Sequence, residues 1–219
     1  TQLKSLSASA LGNLTTTQLN SMSNTQVKLL SASQIAGLST TQISSLSTAK
    51  LSQLSAAQLA AFSNDDVAAL TTDQVKGLTT SGVSALSTAQ VQALSTAQVQ
   101  VITTANVAVM STGQVAALTT DQVSALSTSQ FTALNTADIA ALSTGQVAAL
   151  TTAQVNVLST ASVAAMSASQ VGALSTAQVQ ALTTGNVATL NTEQVAVLST
   201  DQVMAFSTAQ VSALTTTEA

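Results

Sequence analysis

Apolar residues recur along this chain at alternating intervals of three and five, without one slip from Leu11 to Leu214. The pattern is an octapeptide repeated twenty-six times over residues 7–214, with Ser87-Thr-Ala-Gln-Val-Gln-Ala-Leu94 as a representative copy. Each octad is numbered here from its Ser, Thr or Asn. Position five is then Val, Leu, Ile or Phe, and position eight is Leu, Met, Ile or Phe. A period held this strictly marks a repeat array, in which each unit buries its apolar face only against an equivalent neighbour.

The polar positions specify what each octad forms. A Ser or Thr followed three residues later by Gln is a capping box, in which each side chain satisfies an amide left unpaired at a helix start. Of the twenty-seven residues that precede the position-five column, nineteen are Gln. Asp66, Asp138, Asn106 and Asn186 are shorter polar substitutes there, and Ala10, Lys50, Gly82 and Ser162 depart from the box. Ser87 with Gln90, Ser95 with Gln98 and Ser111 with Gln114 are expected to close such boxes. Leu86, just before the cap, and Val91, the fourth helical residue, have the spacing of a hydrophobic staple.

A start signal every eight residues forbids a long helix. At about 100° per residue a continuous helix would turn its apolar pair by roughly 80° per octad and have no buried face. The pattern therefore predicts an all-α solenoid, with one short capped helix per octad and a bend at each Leu-Ser/Thr junction. Its interior is expected to hold Val91, Leu94, Val99, Val115, Leu118, Val147, Leu150, Val179 and Leu182. Position seven, mostly Ala or Val from Ala61 onward, is expected to allow close helix approach. Asn13, Ser21, Ser45 and Gln53 stand there in earlier copies, so the first seven units are expected to pack less tightly or to sit beside something else. A β-solenoid is the alternative, since Thr and Val favour strands. The caps, the abundant Ala and Gln and the lack of Asn-Gly or Asp-Gly corners stand against it.

The unbroken repeat offers no composition shift at which to divide the chain, so 1–219 reads as a single octapeptide-repeat solenoid. It starts and stops inside an octad, which reads as a portion of a longer array. With no Cys, His, Trp, Tyr, Pro or Arg, and 4 Lys plus 8 acids as its only charges, the chain lacks most side chains used in nucleophilic, general-base or metal chemistry. No catalytic, cofactor-binding or metal-binding residue is expected. Few cations disfavour nucleic acid as a partner. No apolar run is longer than that of Val203-Met-Ala-Phe206, so membrane insertion is not expected either.

Charge is uneven: Lys4, Lys28 and Lys50 precede any acid, whereas residues 65–219 carry eight acids against Lys76. Head-to-tail attraction between copies would use that asymmetry. Asp65, Asp73, Asp121, Glu193 and Asp201 share position three, where a carboxylate favours the helix N-terminus; they lack calcium-loop spacing. Phe62, Phe131, Phe206, Met22, Met110 and Met166 stand in the apolar columns as core substitutions. Position two carries a column of Thr (Thr72, Thr80, Thr88, Thr96, Thr104), which reads as solvated or as a regular surface for ice, mineral or glycan.

The string Leu-Ser/Thr-Thr-Ala-Gln-Val-x-Ala, at Leu86–Ala93, Leu94–Val101 and Leu174–Ala181, resembles octad arrays of very large exported Gram-negative bacterial proteins. These are often labelled adhesion or haem-utilisation proteins. The resemblance implies an extracellular or cell-surface location and carries over no catalytic residue. A haem role would need an iron ligand, and the chain has no His, Cys or Tyr to supply one. The expected role is structural, as a stalk, filament or surface-layer element that associates with itself, with glycan or surface binding through the Thr column as the alternative.

Overall fold

The computed structural model describes residues 2–214. Among them are twenty-six α-helices of four to seven residues, one per octad, after a 3-10 turn at Gln2–Ser5. No strand occurs among the described residues, so the α-solenoid is the fold and the β alternative is not.

Helix Thr88–Ala93 shows how an octad closes. Ser87 sits in the extended region (φ −70°, ψ 162°), its side chain accepts the Gln90 amide, and Gln90 returns the bond to the Ser87 amide. Val91 N–H donates to Ser87 C=O at 3.0 Å and Leu94 N–H to Val91 C=O at 3.3 Å. Leu94 is then extended again (ψ 137°), which starts the next corner. No described residue has a positive φ or a cis peptide. The corners therefore need neither Gly nor Pro, because ordinary extended φ/ψ values at positions eight and one make the bend.

Helices pack on the third helix along: Asn64–Ala69 against Thr88–Ala93, and Thr152–Asn156 against Thr176–Ala181. Three octads, twenty-four residues from Asn64 to Thr88, thus make one coil. The chain divides into two compact units, residues 1–117 and 118–219, each built from such coils.

The interior of both units is the two apolar columns. Val91, Leu94, Val99 and Val115 are buried in the first unit, and Leu118, Val147, Leu150, Val179 and Leu182 in the second. Phe62, Phe131, Phe206, Met110 and Met166 are buried as core substitutions, Met22 is half-buried, and Met204 projects outward at 77% exposure. Position seven lies at the edge of the packed interior. Val109, Val157 and Val197 are about two-fifths exposed (39%, 37% and 44%), so this column forms a rim beside the preceding coil and not part of the core.

At one point the N-terminal coils meet more closely than their polar rim suggests. A Cβ on Gly12 would lie 2.7 Å from Gly37 O, and one on Gly37 would lie 2.6 Å from Ala8 Cβ, so only glycine fits at this contact. One octad on, Asn20 Nδ2 donates to Ser45 O at 2.8 Å, tying the same two coils through polar rim residues.

Candidate functional site

Among the described residues twenty-one polar side chains are buried, and every one of them occupies octad position four. That column is the site with the most chemistry in the molecule. Gln98 illustrates it in the first unit. Its Oε1 accepts the Ser95 amide at 2.7 Å, and its own amide donates to Ser95 Oγ at 3.2 Å, which closes the capping box. Its Nε2 points the other way and donates to three carbonyls of the preceding coil: Val67 O at 3.0 Å, Ala68 O at 3.2 Å and Leu70 O at 2.7 Å. Gln178 repeats the arrangement in the second unit with Val147 O, Ala148 O and Leu150 O at 3.0, 3.3 and 2.6 Å.

The physical reason lies in the helix ends. A helix this short leaves nearly all its carbonyls without intrahelical donors, and burying them unpaired would cost about 1–3 kcal/mol each. Gln is long enough to cap its own helix with one amide atom and to satisfy the end of a helix in the coil before it with the other. Within each unit, backbone–backbone bonds outside helix interiors span only three or four residues. Hydrogen bonding between coils therefore runs through side chains.

The substitutes keep one half of this function or the other. Asn106 and Asn186 still reach back, to Leu78 O at 2.9 Å and Leu158 O at 3.0 Å, but their helices lack the reciprocal box. Asp66 and Asp138 close the box and have no N–H to send across. Lys50, Gly82 and Ser162 break the box, as does Ala10 in the first coil. Asp138 Oδ1 is buried with no hydrogen-bond partner. Replacing it in Asp138→Asn removes an uncompensated buried acceptor, and thermal unfolding at neutral pH is expected to show a gain of about 1–3 kcal/mol. An unchanged or lower midpoint would mean that the carboxylate is better accommodated than its geometry indicates.

Sequence reasoning located the boxes at Ser87/Gln90, Ser95/Gln98 and Ser111/Gln114, and the structure forms all three. It placed no interior role on the Gln amide nitrogen. The available signal was that Gln is preferred to Glu: either caps a helix, and only Gln can donate across a buried interface.

The remaining candidates lie on the surface. Thr72, Thr88, Thr96 and Thr104 are exposed at position two, and Asp65, Asp73, Asp121, Glu193 and Asp201 stand in first helical turns. No group of three acids among the described residues is placed to hold a metal ion. No helix among the described residues is long and apolar enough to cross a membrane.

The arrangement supplies cohesion along one direction. In comparison with known proteins, the family model described as the ALTTAQ repeat matches residues 47–80, 82–112, 101–136, 132–167, 153–184 and 183–216. No curated protein matches the chain.

Proposed function

Because the chain belongs to the ALTTAQ-repeat family, we propose that it is a non-catalytic structural array that extends by stacking coil on coil, within one chain or between copies. Its place on this reading is outside the cell, as a stalk, filament or surface-layer element. The resemblance to exported octad arrays supports that location.

The observation that carries the reading is the polarity of a coil. Position four faces the preceding coil and position five the following one. Gln18 and Gln26, in the first described coil, are exposed although their Oε1 atoms already cap Thr15 and Ser23. The position-five residues of that coil, Leu11, Leu19 and Val27, are fully covered. The last coil is the reverse: Gln202 and Gln210 are buried, whereas Val203 and Val211 are 46% and 44% exposed. One face thus offers amide donors and the other offers apolar side chains and helix-end carbonyls. Such a heterologous pair joins head to tail.

Sedimentation velocity and electron microscopy of the 219-residue chain test this. End-to-end oligomers are expected to grow with concentration and to weaken with salt, which screens the Lys-rich start from the acidic remainder. Val203→Asp with Val211→Asp should abolish them while circular dichroism stays helical. Strictly monomeric behaviour at high concentration and low salt would overturn self-association and leave a passive spacer. Antibody labelling confined to the cell interior of a producing organism would overturn the location.

A further inference from the structure

Ser162 occupies position four of its octad, where its neighbours Gln154 and Gln170 send amides into the preceding coil. Counting back by the intervals those glutamines use (twenty-eight, thirty and thirty-one residues), the carbonyls that a Gln at 162 would reach are those of Leu134, Thr132 and Phe131. The amide that its Oε1 would accept is that of Ser159. A cavity of about 260 Å³ lies here, and its lining includes Phe131, Thr132, Leu134, Ile139, Ser159 and Ser162. The side chain of Ser162 does not extend into the coil interface, because its Oγ bonds Ser159 Oγ at 2.8 Å. Among the described residues neither the Ser159 amide nor the Leu134 carbonyl has a hydrogen-bond partner.

The same truncation elsewhere leaves no such space. At Gly82, also in position four, an added Cβ would come within 2.5 Å of Leu59 Cδ1, so the Leu59 side chain occupies the gap. At Ser162 the place of the missing carboxamide stays open. Its lining includes Ser159, whose amide has no partner among the described residues, Phe131, Thr132 and Leu134, whose carbonyls stand at the intervals that Gln amides bond in neighbouring octads, and the apolar residue Ile139. The volume exceeds the missing fragment and is larger than the apolar cavity of roughly 150 Å³ that suffices for benzene.

We propose that this cavity is a binding site for short aliphatic primary carboxamides. The ligand's carbonyl oxygen accepts from Ser159 N–H, its NH2 donates to the Leu134 and Phe131 carbonyls, and its alkyl tail lies against Phe131, Leu134 and Ile139. The ligand thereby reproduces, as a separate molecule, the link that Gln makes in neighbouring octads.

Butyramide is the probe, followed by the nuclear magnetic resonance shift of the Ser159 amide and by thermal unfolding. The wild-type chain should show a saturable shift with a dissociation constant on the order of millimolar and a raised unfolding midpoint. N,N-Dimethylbutyramide, with no N–H to give, should bind at least about tenfold more weakly. Ser162→Gln should fill the site itself, unfold at higher temperature and lose the response, whereas Ser162→Ala should retain it. No saturable shift in the wild type, equal binding of the dimethyl analogue, or undiminished binding by a folded Ser162→Gln chain would each overturn the proposal. The comparison of the two amides on the wild type holds whether or not either variant folds.

Discussion

Gln98→Glu is expected to destabilise the contact between coils by about 3–5 kcal/mol at neutral pH and to recover much of that loss in acid. The change is isosteric and keeps the oxygen that caps Ser95. It replaces an NH2 group with an oxygen among three carbonyl oxygens 2.7–3.2 Å away, in a side chain only 3% exposed. A carboxylate there is desolvated and repelled, so its folded-state pKa rises above the unfolded value of about 4.3. A group raised in this way contributes its stability below the unfolded pKa and loses it as pH climbs through the folded one. The deficit relative to wild type should therefore be smallest below about pH 4 and largest at neutrality, where the ionised carboxylate has no proton to donate to Leu70 O. Urea unfolding at both pH values checks this. Gln98→Met, which removes the bonds without adding charge, should cost about 1–3 kcal/mol at either pH. Equal losses for the glutamate variant in acid and at neutrality would show that the amide nitrogen does not bridge the coils.

Leu182→Asn is expected to cost a similar amount, about 3–5 kcal/mol, for a different reason. Leu182 is 4% exposed, and the change combines a lost apolar side chain with a buried amide that has no provided partner. The damage should reach the following coil, because the Leu182 carbonyl accepts Gln210 Nε2 at 2.7 Å. Gln180→Ser, two residues earlier on the exposed side of the same helix, should change stability by no more than about 0.5 kcal/mol. Hydrogen exchange localises the effect: protection should fall around residues 176–182 and 208–214 for the first variant and remain for the second. Equal effects would mean that positions six and eight are not outside and inside.

Local information in the octad was enough to place helices, caps and both apolar columns, because each is a consequence of contacts within eight residues. The Ser87 to Gln90 box and the corner at Leu94 need no knowledge of the rest of the chain. What the sequence could not supply is the number of octads per coil, since packing on the third neighbour depends on the angle of corners that are chemically identical. Without that number, no partner could be assigned to the Gln98 amide nitrogen. The cavity at Ser162 was hidden for the same reason, and Ser162 registered only as a departure from the box. Position seven was legible as a place of close helix approach, but that Val157 and Val197 stand on a rim depends on the angle of the corner.

The three-octad coil also determines how such a chain can change length. Since every corner is built alike, inserting or deleting one octad moves everything beyond it by a third of a coil and presents each Gln with the carbonyls of another, equivalent junction. Length can therefore vary in steps of eight residues with each Gln still bridging to a preceding coil. One contact does not survive that slip: Gly12 and Gly37, twenty-five residues apart, meet too closely for a Cβ on either. An octad gained or lost between them would set a Cβ against the facing coil, whereas the Asn20 amide bonds a backbone carbonyl that any octad supplies, as Asn156 does with Ala181 O. That segment acts as a fixed rung, while the generic octads between other coils are interchangeable units of length.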